Sequence, residues 1–157
     1  MDDSSIVFVC TEKIHGTNYS FLLDENKKVA ACKRTAVLKD EDTFMNHRRV
    51  FNKYKDKAVD LYAFAKILYP DMIAMQLFGE LFGGYYDGVT TTNARRVQKN
   101  MNYHPDNEFA AYDIKLYFLS YRSSYCDFAS VVEWCKNVGI PTVPVFFHGN
   151  SSGMFTI

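Results

Sequence analysis

The apolar residues of this chain change their period after the first thirty or so positions, and this change restricts the possible folds. Ile6 to Cys10, Tyr19 to Leu23 and Val29 to Cys32 are short runs rich in β-branched and aromatic residues, which is typical of strands. The polar residues 24–28 separate the last two runs and predict a hairpin with antiparallel pairing.

A helical period begins near Thr43 and predicts a long amphipathic helix that ends at Pro70. Its apolar positions recur at intervals of three, four or seven: Phe44, Phe51, Tyr54, Ala58, Leu61, Ala65 and Leu68. The opposite face of this helix carries five basic side chains: Arg48, Arg49, Lys53, Lys55 and Lys57.

The second half of the chain returns to strand-like patterns. The expected elements are a strand over Ile73 to Glu80 broken by Gly79 and then by Gly83 and Gly84, an ordered loop or partly helical insertion over Tyr85 to Tyr103, a strand over Phe109 to Phe118, a helix over Phe128 to Asn137 with Gly139 just past its end, and a strand over Val143 to Phe147. This mixed order predicts an α+β domain with mainly antiparallel sheets and flanking helices, rather than a parallel doubly wound sheet.

Composition limits the class of protein. The chain of 157 residues has 18 basic and 18 acidic residues, so net charge gives no argument for a nucleic-acid partner. The four cysteines lack metal-site spacing and are expected to be buried, reduced thiols: Cys10, Cys32, Cys126 and Cys135. A polar, acidic start and the lack of a long apolar run predict a cytoplasmic or nuclear protein that is neither secreted nor membrane-bound.

Residues 11–18, Thr-Glu-Lys-Ile-His-Gly-Thr-Asn, form the most informative stretch. Lys13 follows a predicted strand, and Gly16 three residues later would let the backbone approach a ligand closely. The K-x-x-G pattern is short and common, so taken alone this stretch fits an ordinary surface turn with a solvated lysine better than a site.

Three further stretches change that interpretation, because all four occur in the order found in one enzyme family. Residues 12–18 resemble the nucleophile motif of ATP-dependent RNA ligases, in the branch that includes phage RNA-repair and kinetoplastid RNA-editing ligases. Residues 32–35 (Cys-Lys-Arg-Thr) resemble the arginine motif, residues 78–83 (Phe-Gly-Glu-Leu-Phe-Gly) the third motif, and residues 109–114 (Phe-Ala-Ala-Tyr-Asp-Ile) the aromatic-Asp motif. The resemblance implies the nucleotidyltransferase fold of ligases and capping enzymes.

The resemblance also implies a three-step reaction. Lys13 would attack the α-phosphate of ATP, the AMP would pass to an RNA 5′-phosphate, and a 3′-hydroxyl would displace the AMP. A free lysine amine has a pKa of about 10.4, so the first step needs surroundings that favour the neutral amine. ATP with Mg²⁺ or Mn²⁺ would be the cofactors and broken or nicked RNA the partner, although no complete set of metal ligands is visible in the sequence.

Four residues would bind the nucleotide beside Lys13 if the resemblance holds. Glu12 and Ile14 would flank the adenine, largely through their backbone. Arg34 would contact the ribose or a phosphate through its fixed guanidinium fork. Glu80 would accept a hydrogen bond from a ribose hydroxyl. If they do not bind a nucleotide, Arg34 is an ordinary surface arginine and Glu80 is a solvated loop residue.

Four other residues complete the implied site. Tyr112 would stack on adenine, where the branch usually has Phe, or would be a core aromatic of its strand. His15 and Asn18 would act on the pyrophosphate and on metal-bound water, although a histidine in such a turn is often only a hydrogen-bonded surface residue. Asp113 is expected to orient the neighbouring backbone rather than to be catalytic.

The family continues past these motifs with a glutamate-containing strand and a strand that carries two lysines. Residues 150–157 contain neither, so residues 1–157 are expected to be the N-terminal part of an adenylyltransferase domain. Three explanations stay open: an expressed fragment, a natural truncation with degraded activity, or a half completed by another chain. The first two are favoured.

Two non-catalytic alternatives remain. One is a remnant that binds nucleotide or RNA without forming an adduct. The other is an RNA-binding module that uses the basic helix face together with Arg95, Arg96 and Lys99, although such charge runs are more often a solvated surface. The H-G-T-N ending of the first motif points away from DNA ligases. The sequence predicts no oligomeric state.

Overall fold

The described part of the chain, residues 6–89 and 91–150 of a computed structural model, contains eight strands and two main helices. Their bounds are β1 Val7–Thr11, β2 Thr17–Asp24, β3 Val29–Lys33, β4 Ala36–Val37, α1 His47–Leu68, β5 Met72–Tyr85, β6 His104–Phe118, β7 Ser123–Tyr125, α2 Phe128–Val138 and β8 Val145–Asn150. The expectations for residues 1–5 and for the end of the chain at 151–157 lie outside the described residues.

Every paired strand is antiparallel. The larger sheet has the order β4-β3-β2-β5-β6-β7, and the smaller sheet pairs β1 with β8. A single parallel bridge, between Ala111 and Thr142, tethers the segment before β8 to strand β6. The predicted α+β class with mainly antiparallel sheets is confirmed.

The predicted hairpin between β2 and β3 is confirmed, and its turn is built from local hydrogen bonds. Asp24 Oδ1 accepts the backbone N–H groups of Asn26 and Lys28 at 2.9 and 3.0 Å. Lys27 adopts a positive φ of 59° at the tip. An aspartate that satisfies the turn's own backbone explains why a polar run of five residues connects two strands closely.

Helix α1 begins at His47, four residues after the predicted start. Met45 and Asn46 take positive φ values of 43° and 53°, which end a short 3₁₀ turn and prevent one continuous helix. The helix then packs five of its apolar or aromatic positions against the larger sheet: Val50, Tyr54, Ala58, Leu61 and Ala65. Leu68 is 51% exposed, so the prediction of its burial is wrong: the apolar stripe ends one turn earlier.

Strand β5 continues through the glycines that were expected to break it. A Cβ at Gly79 would lie 2.4 Å from the Phe109 ring, so this glycine makes room for an aromatic side chain of β6. Register shifts after Phe78 and after Gly83 absorb the irregularity as bulges.

Residues 86–103 form an irregular loop whose described part contains no helix. Of the two alternatives predicted for this segment, the partly helical insertion is therefore wrong.

The C-terminal elements follow the predictions with shifted boundaries. Helix α2 is capped by Asp127, whose side chain accepts the backbone N–H of Ser130 at 2.9 Å, and it ends at Gly139 with φ of 71°. Strand β6 begins five residues before the predicted start and β8 two residues after it, whereas β7 was not predicted.

Two further sequence expectations concern thiols and membranes. Cys32 and Cys135 are buried and Cys126 is half-buried, as expected of free thiols. Cys10 is exposed, so the expectation of burial is wrong there, because β1 belongs to the thin two-stranded sheet. No described helix combines the length and apolarity that a membrane span requires.

Candidate nucleotide cleft around Lys13

A cleft of about 600 Å³ lies where the loop after β1 faces one end of the larger sheet. Residues 12–16 form this loop, called here the Lys13 loop, between the end of β1 at Thr11 and the start of β2 at Thr17. Seven of the eight predicted site residues line the cleft: Glu12, Lys13, Ile14, Asn18, Arg34, Glu80 and Tyr112. The four motif stretches therefore meet in one place.

The Lys13 loop is held to both sheets by its backbone. The N–H of Glu12 donates to the carbonyl oxygen of Pro144 at 2.9 Å, just before strand β8. The N–H of Gly16 donates to Oε1 of Glu80 on strand β5 at 3.1 Å. These two bonds fix the two ends of the loop that carries Lys13.

Gly16 is required because the loop passes directly over strand β5. A Cβ built at this residue would lie 2.2 Å from the carbonyl oxygen of Leu81 and 2.9 Å from Cγ of Glu80. The sequence predicted that Gly16 lets the backbone approach a ligand closely. The structure shows a close approach to the neighbouring strand β5, and the approach to a ligand stays a prediction.

Glu80 lies at the floor of the cleft and pairs in register with Asn18 of strand β2. Burial raises the pKa of its carboxyl, and this effect outweighs the opposing hydrogen bond from Gly16 and the nearby charges of His15, Lys13 and Arg34. The carboxyl of Glu80 is thus a partly desolvated hydrogen-bond acceptor near three basic side chains.

Asn18 and Tyr112 are joined by a side-chain hydrogen bond. Nδ2 of Asn18 donates to the hydroxyl of Tyr112 on strand β6 at 2.5 Å. Burial, together with the negative charges of Glu80 and Asp113, raises the pKa of the Tyr112 phenol. The bond fixes the phenol oxygen, and with it the position of an aromatic ring in the cleft wall.

Lys13 and Arg34 supply the positive charge of the cleft. Arg34 occupies the two-residue turn between β3 and β4, and both side chains are exposed. Neither forms an ion pair within residues 6–89 and 91–150. Both charges are therefore available to an anionic ligand.

His15 is the one predicted site residue that does not line the cleft. Its side chain is exposed, and its backbone N–H donates to the hydroxyl of Tyr103 at 3.3 Å. Asp113 also lies outside the cleft lining, and burial raises the pKa of its carboxyl. The roles assigned to these two residues stay predictions.

The sequence did not single out Val143, which also lines the cleft. The N–H of Val143 donates to the carbonyl oxygen of Ala111 at 2.9 Å, and the N–H of Ala111 donates to that of Pro141 at 2.8 Å. This pairing places Val143 beside the Tyr112 strand. An ordinary valine far from the motifs carries no local signal of that contact.

The described residues contain no group of three or more His, Cys, Asp or Glu side chains arranged to hold a metal ion. The side chains of the cleft that carry oxygen are two carboxylates, one carboxamide, one phenol and two hydroxyls, from Glu12, Glu80, Asn18, Tyr112, Thr11 and Thr17. Mg²⁺ is commonly held by one or two carboxylates together with substrate phosphates, so this set fits an ion that binds together with a nucleotide.

Comparison with known proteins agrees with this architecture. The sequence model of the RNA ligase family matches residues 6–156. Among solved structures, a Naegleria gruberi RNA ligase variant with AMP and Mn aligns at 14% identity and a TM-score of 0.62, over 94% of this chain and 38% of its own. A second variant of that ligase, with ATP and Mn, gives 13% identity and a TM-score of 0.59 over the same shares.

An archaeal ATP-dependent RNA ligase aligns at 17% identity and a TM-score of 0.54, over 94% of this chain and 33% of its own. The chain thus spans between about a third and two fifths of the length of these structures, and at such identities they show a common fold. The family match covers nearly every residue, including all four motif stretches. The chain belongs to the RNA ligase family.

Proposed function

We propose that this chain carries out the adenylyltransferase chemistry of an ATP-dependent RNA ligase, with Lys13 as the residue that takes up AMP. The observation that carries the proposal is the single cleft in which Lys13, Arg34, Glu80 and Tyr112 meet from four separate parts of the sequence. The Naegleria gruberi ligase structures with ATP or AMP and Mn support ATP and a divalent metal as cofactors. The motif pattern favours the branch of phage RNA-repair and kinetoplastid RNA-editing ligases.

The first step is a substitution at phosphorus. The lone pair on Nζ of neutral Lys13 attacks the α-phosphorus of ATP, a P–N bond forms, and the bond from that phosphorus to the bridging oxygen breaks. Pyrophosphate leaves, and the extra proton on nitrogen passes to solvent. Arg34 lies at the same cleft and balances negative charge that develops on the phosphate.

Hydrogen-bond partners limit what each cleft residue offers the nucleotide. Glu80 uses Oε1 for Gly16, and among the described residues nothing else bonds this carboxylate, so Oε2 remains for a ribose hydroxyl. Glu12 gives its N–H to Pro144, so of its two backbone polar groups the carbonyl oxygen remains for the adenine edge. Tyr112 provides the ring face for stacking, and Ile14 provides backbone and apolar contact.

The later steps need RNA. An oxygen of an RNA 5′-phosphate attacks the phosphorus of lysyl-AMP and releases Lys13, and a 3′-hydroxyl then attacks the RNA phosphorus and releases AMP. Mg²⁺ or Mn²⁺ bound together with ATP would neutralise charge on the phosphates in these steps. We place this activity in the cytoplasm or nucleus.

The direct test is incubation with ATP labelled at the α- or the γ-phosphate, in Mg²⁺ or Mn²⁺, followed by denaturing electrophoresis. The α-label should stay on the protein through an acid-labile bond and the γ-label should not. Lys13→Ala should remove the signal, whereas Lys28→Ala, an exposed lysine of the β2–β3 turn, should keep it.

Equal labelling of the Lys13→Ala protein would overturn the assignment of Lys13. Binding of ATP by the wild-type chain without any covalent label would instead favour the non-catalytic remnant.

A further inference from the structure

The loop of residues 86–103, between β5 and β6, is fixed to the larger sheet on its inner side. Arg95 donates its N–H to Oδ1 of Asn107 at 2.9 Å, and Nδ2 of Asn107 donates to the carbonyl oxygen of Arg95 at 2.7 Å. Asn107 is only 1% exposed. The N–H of Val97 donates to the carbonyl oxygen of Gly83 at 3.1 Å, and Val97 is buried. Loops usually lie loosely on a surface, but this one is anchored.

Gly84 makes that anchoring possible. Its φ is +81°, and a Cβ built there would lie 2.0 Å from the carbonyl oxygen of Arg95. The backbone of the loop therefore lies directly on strand β5, with no space between them for any side chain.

Two side chains of this anchored loop form hydrogen bonds with the Lys13 loop. Nε2 of Gln98 donates to the carbonyl oxygen of Gly16 at 2.7 Å. The hydroxyl of Tyr103 accepts the N–H of His15 at 3.3 Å. The ring of Tyr103 packs edge-on against Phe82 of β5, with centroids 6.0 Å apart. The residue that carries the hydroxyl is thus itself held by the sheet.

We propose that Gln98 and Tyr103 are positioning residues that fix the backbone of the Lys13 loop for attack on the nucleotide. The inference rests on the proposed function and adds to it. Gly16 is held on both sides: its N–H by Glu80 inside the cleft and its carbonyl by Gln98 outside it. Neither Gln98 nor Tyr103 lines the cleft.

The reaction is sensitive to such positioning because a shift of about 1 Å in a reacting group can cost about 100-fold in rate. Gln98 is exposed, and its side chain bonds nothing else among the described residues. Its contact therefore adds little to overall stability and acts mainly on where the Lys13 loop lies. Tyr103 has the same role through its hydroxyl alone.

The test is the single-turnover rate of lysyl-AMP formation across a range of ATP concentrations, in the full chain. Gln98→Ala, Gln98→Glu and Tyr103→Phe should each lower the maximal rate about tenfold, because each removes one neutral hydrogen bond from the loop. The ATP concentration at half-maximal rate should change less than about twofold, since neither residue lines the cleft. Gln98→Glu keeps the size of the side chain but cannot donate to a carbonyl, so it should be as slow as Gln98→Ala.

Two controls separate positioning from folding. Thr92→Ala removes an exposed side chain of the same loop that bonds no described residue, and it should react like wild type. Amide hydrogen exchange should accelerate at His15 and Gly16 in the Gln98 and Tyr103 variants, while the melting temperature stays close to that of wild type.

The outcomes distinguish the two proposals. Wild-type rates in all three variants would overturn the positioning role and leave the proposed function intact. A rate loss accompanied by a large fall in melting temperature would also overturn it, since the residues would then be structural. Absence of lysyl-AMP in the wild-type chain would overturn the proposed function and this inference together.

Discussion

The cleft around Lys13 and the outer face of helix α1 both carry basic residues, but their charges are used differently. On α1, Arg49 pairs with Asp106, Lys53 pairs with Glu108, and Arg48 lies 2.9 Å from Asp40. In the cleft, neither Lys13 nor Arg34 has an ion-pair partner in the described part of the chain.

The difference shows which cations are free to act on a ligand. Two of the paired cations of α1, Arg49 and Lys53, tie the helix to strand β6, because Asp106 and Glu108 both belong to that strand. The cleft cations are left unpaired in a concave site, where a phosphate would neutralise them. The charge of the α1 face made it a candidate for RNA binding, but three of its five basic side chains already pair with carboxylates.

The largest effect expected from this comparison is at Gly16. Gly16→Ala should slow lysyl-AMP formation by about 100-fold or more, because the new Cβ would meet the Leu81 carbonyl oxygen 2.2 Å away and displace the Lys13 loop. Gly88→Asn is the matched control: its Cβ meets nothing within 4 Å, and asparagine tolerates the positive φ there. A single-turnover assay compares them, and a fast Gly16→Ala protein would show that the position of the loop does not matter.

The next largest effect on the rate of lysyl-AMP formation is expected at Glu80, the hydrogen-bond acceptor inside the cleft. Glu80→Ala should lower the same rate about 10- to 100-fold, since losing a partly buried hydrogen-bond partner costs about 1–3 kcal/mol. Glu80→Gln keeps an acceptor for the N–H of Gly16 and should lose less. If both variants react like wild type, Glu80 holds neither the loop nor the ribose.

Substitutions in the ion pairs of α1 should change the stability of the protein rather than the rate of lysyl-AMP formation. Glu108→Ala should lower the free energy of unfolding by about 2 kcal/mol, because both Lys53 and the buried hydroxyl of Tyr54 lose their partner. Lys53→Ala should lower it by at most about 1 kcal/mol, as expected for a surface ion pair. Denaturant unfolding measures both, and equal losses would contradict the assigned role of Glu108.

The raised pKa of Glu80 gives a pH dependence of stability. A carboxyl whose pKa is higher in the folded than in the unfolded protein favours folding at acid pH, and that contribution is lost as pH rises through the folded pKa. The change in melting temperature caused by Glu80→Gln should therefore be more favourable at pH 7 than near pH 4. The opposite trend would show that the cations near Glu80 outweigh its burial.

The smallest effect is expected for RNA binding by α1. Neutralising both Arg48 and Arg49 to Gln should change RNA affinity by less than about threefold, and the slope of log affinity against log salt by less than about one. If the Arg48 and Arg49 variant lost most of its RNA affinity while Lys13→Ala bound RNA like wild type, the basic face would instead be favoured as an RNA-binding module.

The fold could be predicted from the sequence where the pattern is local. The β2–β3 hairpin, helix α1 and the glycine-ended helix α2 follow from period and turn chemistry within a few residues. Gly79 was expected to interrupt a strand because its contact with Phe109, thirty positions away, is invisible in a linear pattern. Strand β7 was missed for the same reason, because it is defined by its pairing with β6 and not by a pattern of its own.

The cleft followed from the sequence to the extent that its residues lie within recognisable motifs. Val143 was missed because only the pairing with Ala111 brings it there. Gln98 and Tyr103 were missed because residues 85–103 have turn-rich, polar composition and no period. Their contacts with the Lys13 loop span more than eighty positions and depend on how Gly83 and Gly84 let one loop lie on β5.

The central claim is that the amine of Lys13 becomes joined to AMP in this cleft. Peptide mapping by mass spectrometry, after incubation of the wild-type chain with ATP and Mg²⁺ or Mn²⁺, tests it most directly. One AMP should be found on the side chain of Lys13 and on no other lysine. An adduct on a different lysine, or an unmodified Lys13 under conditions in which ATP binds, would contradict the account.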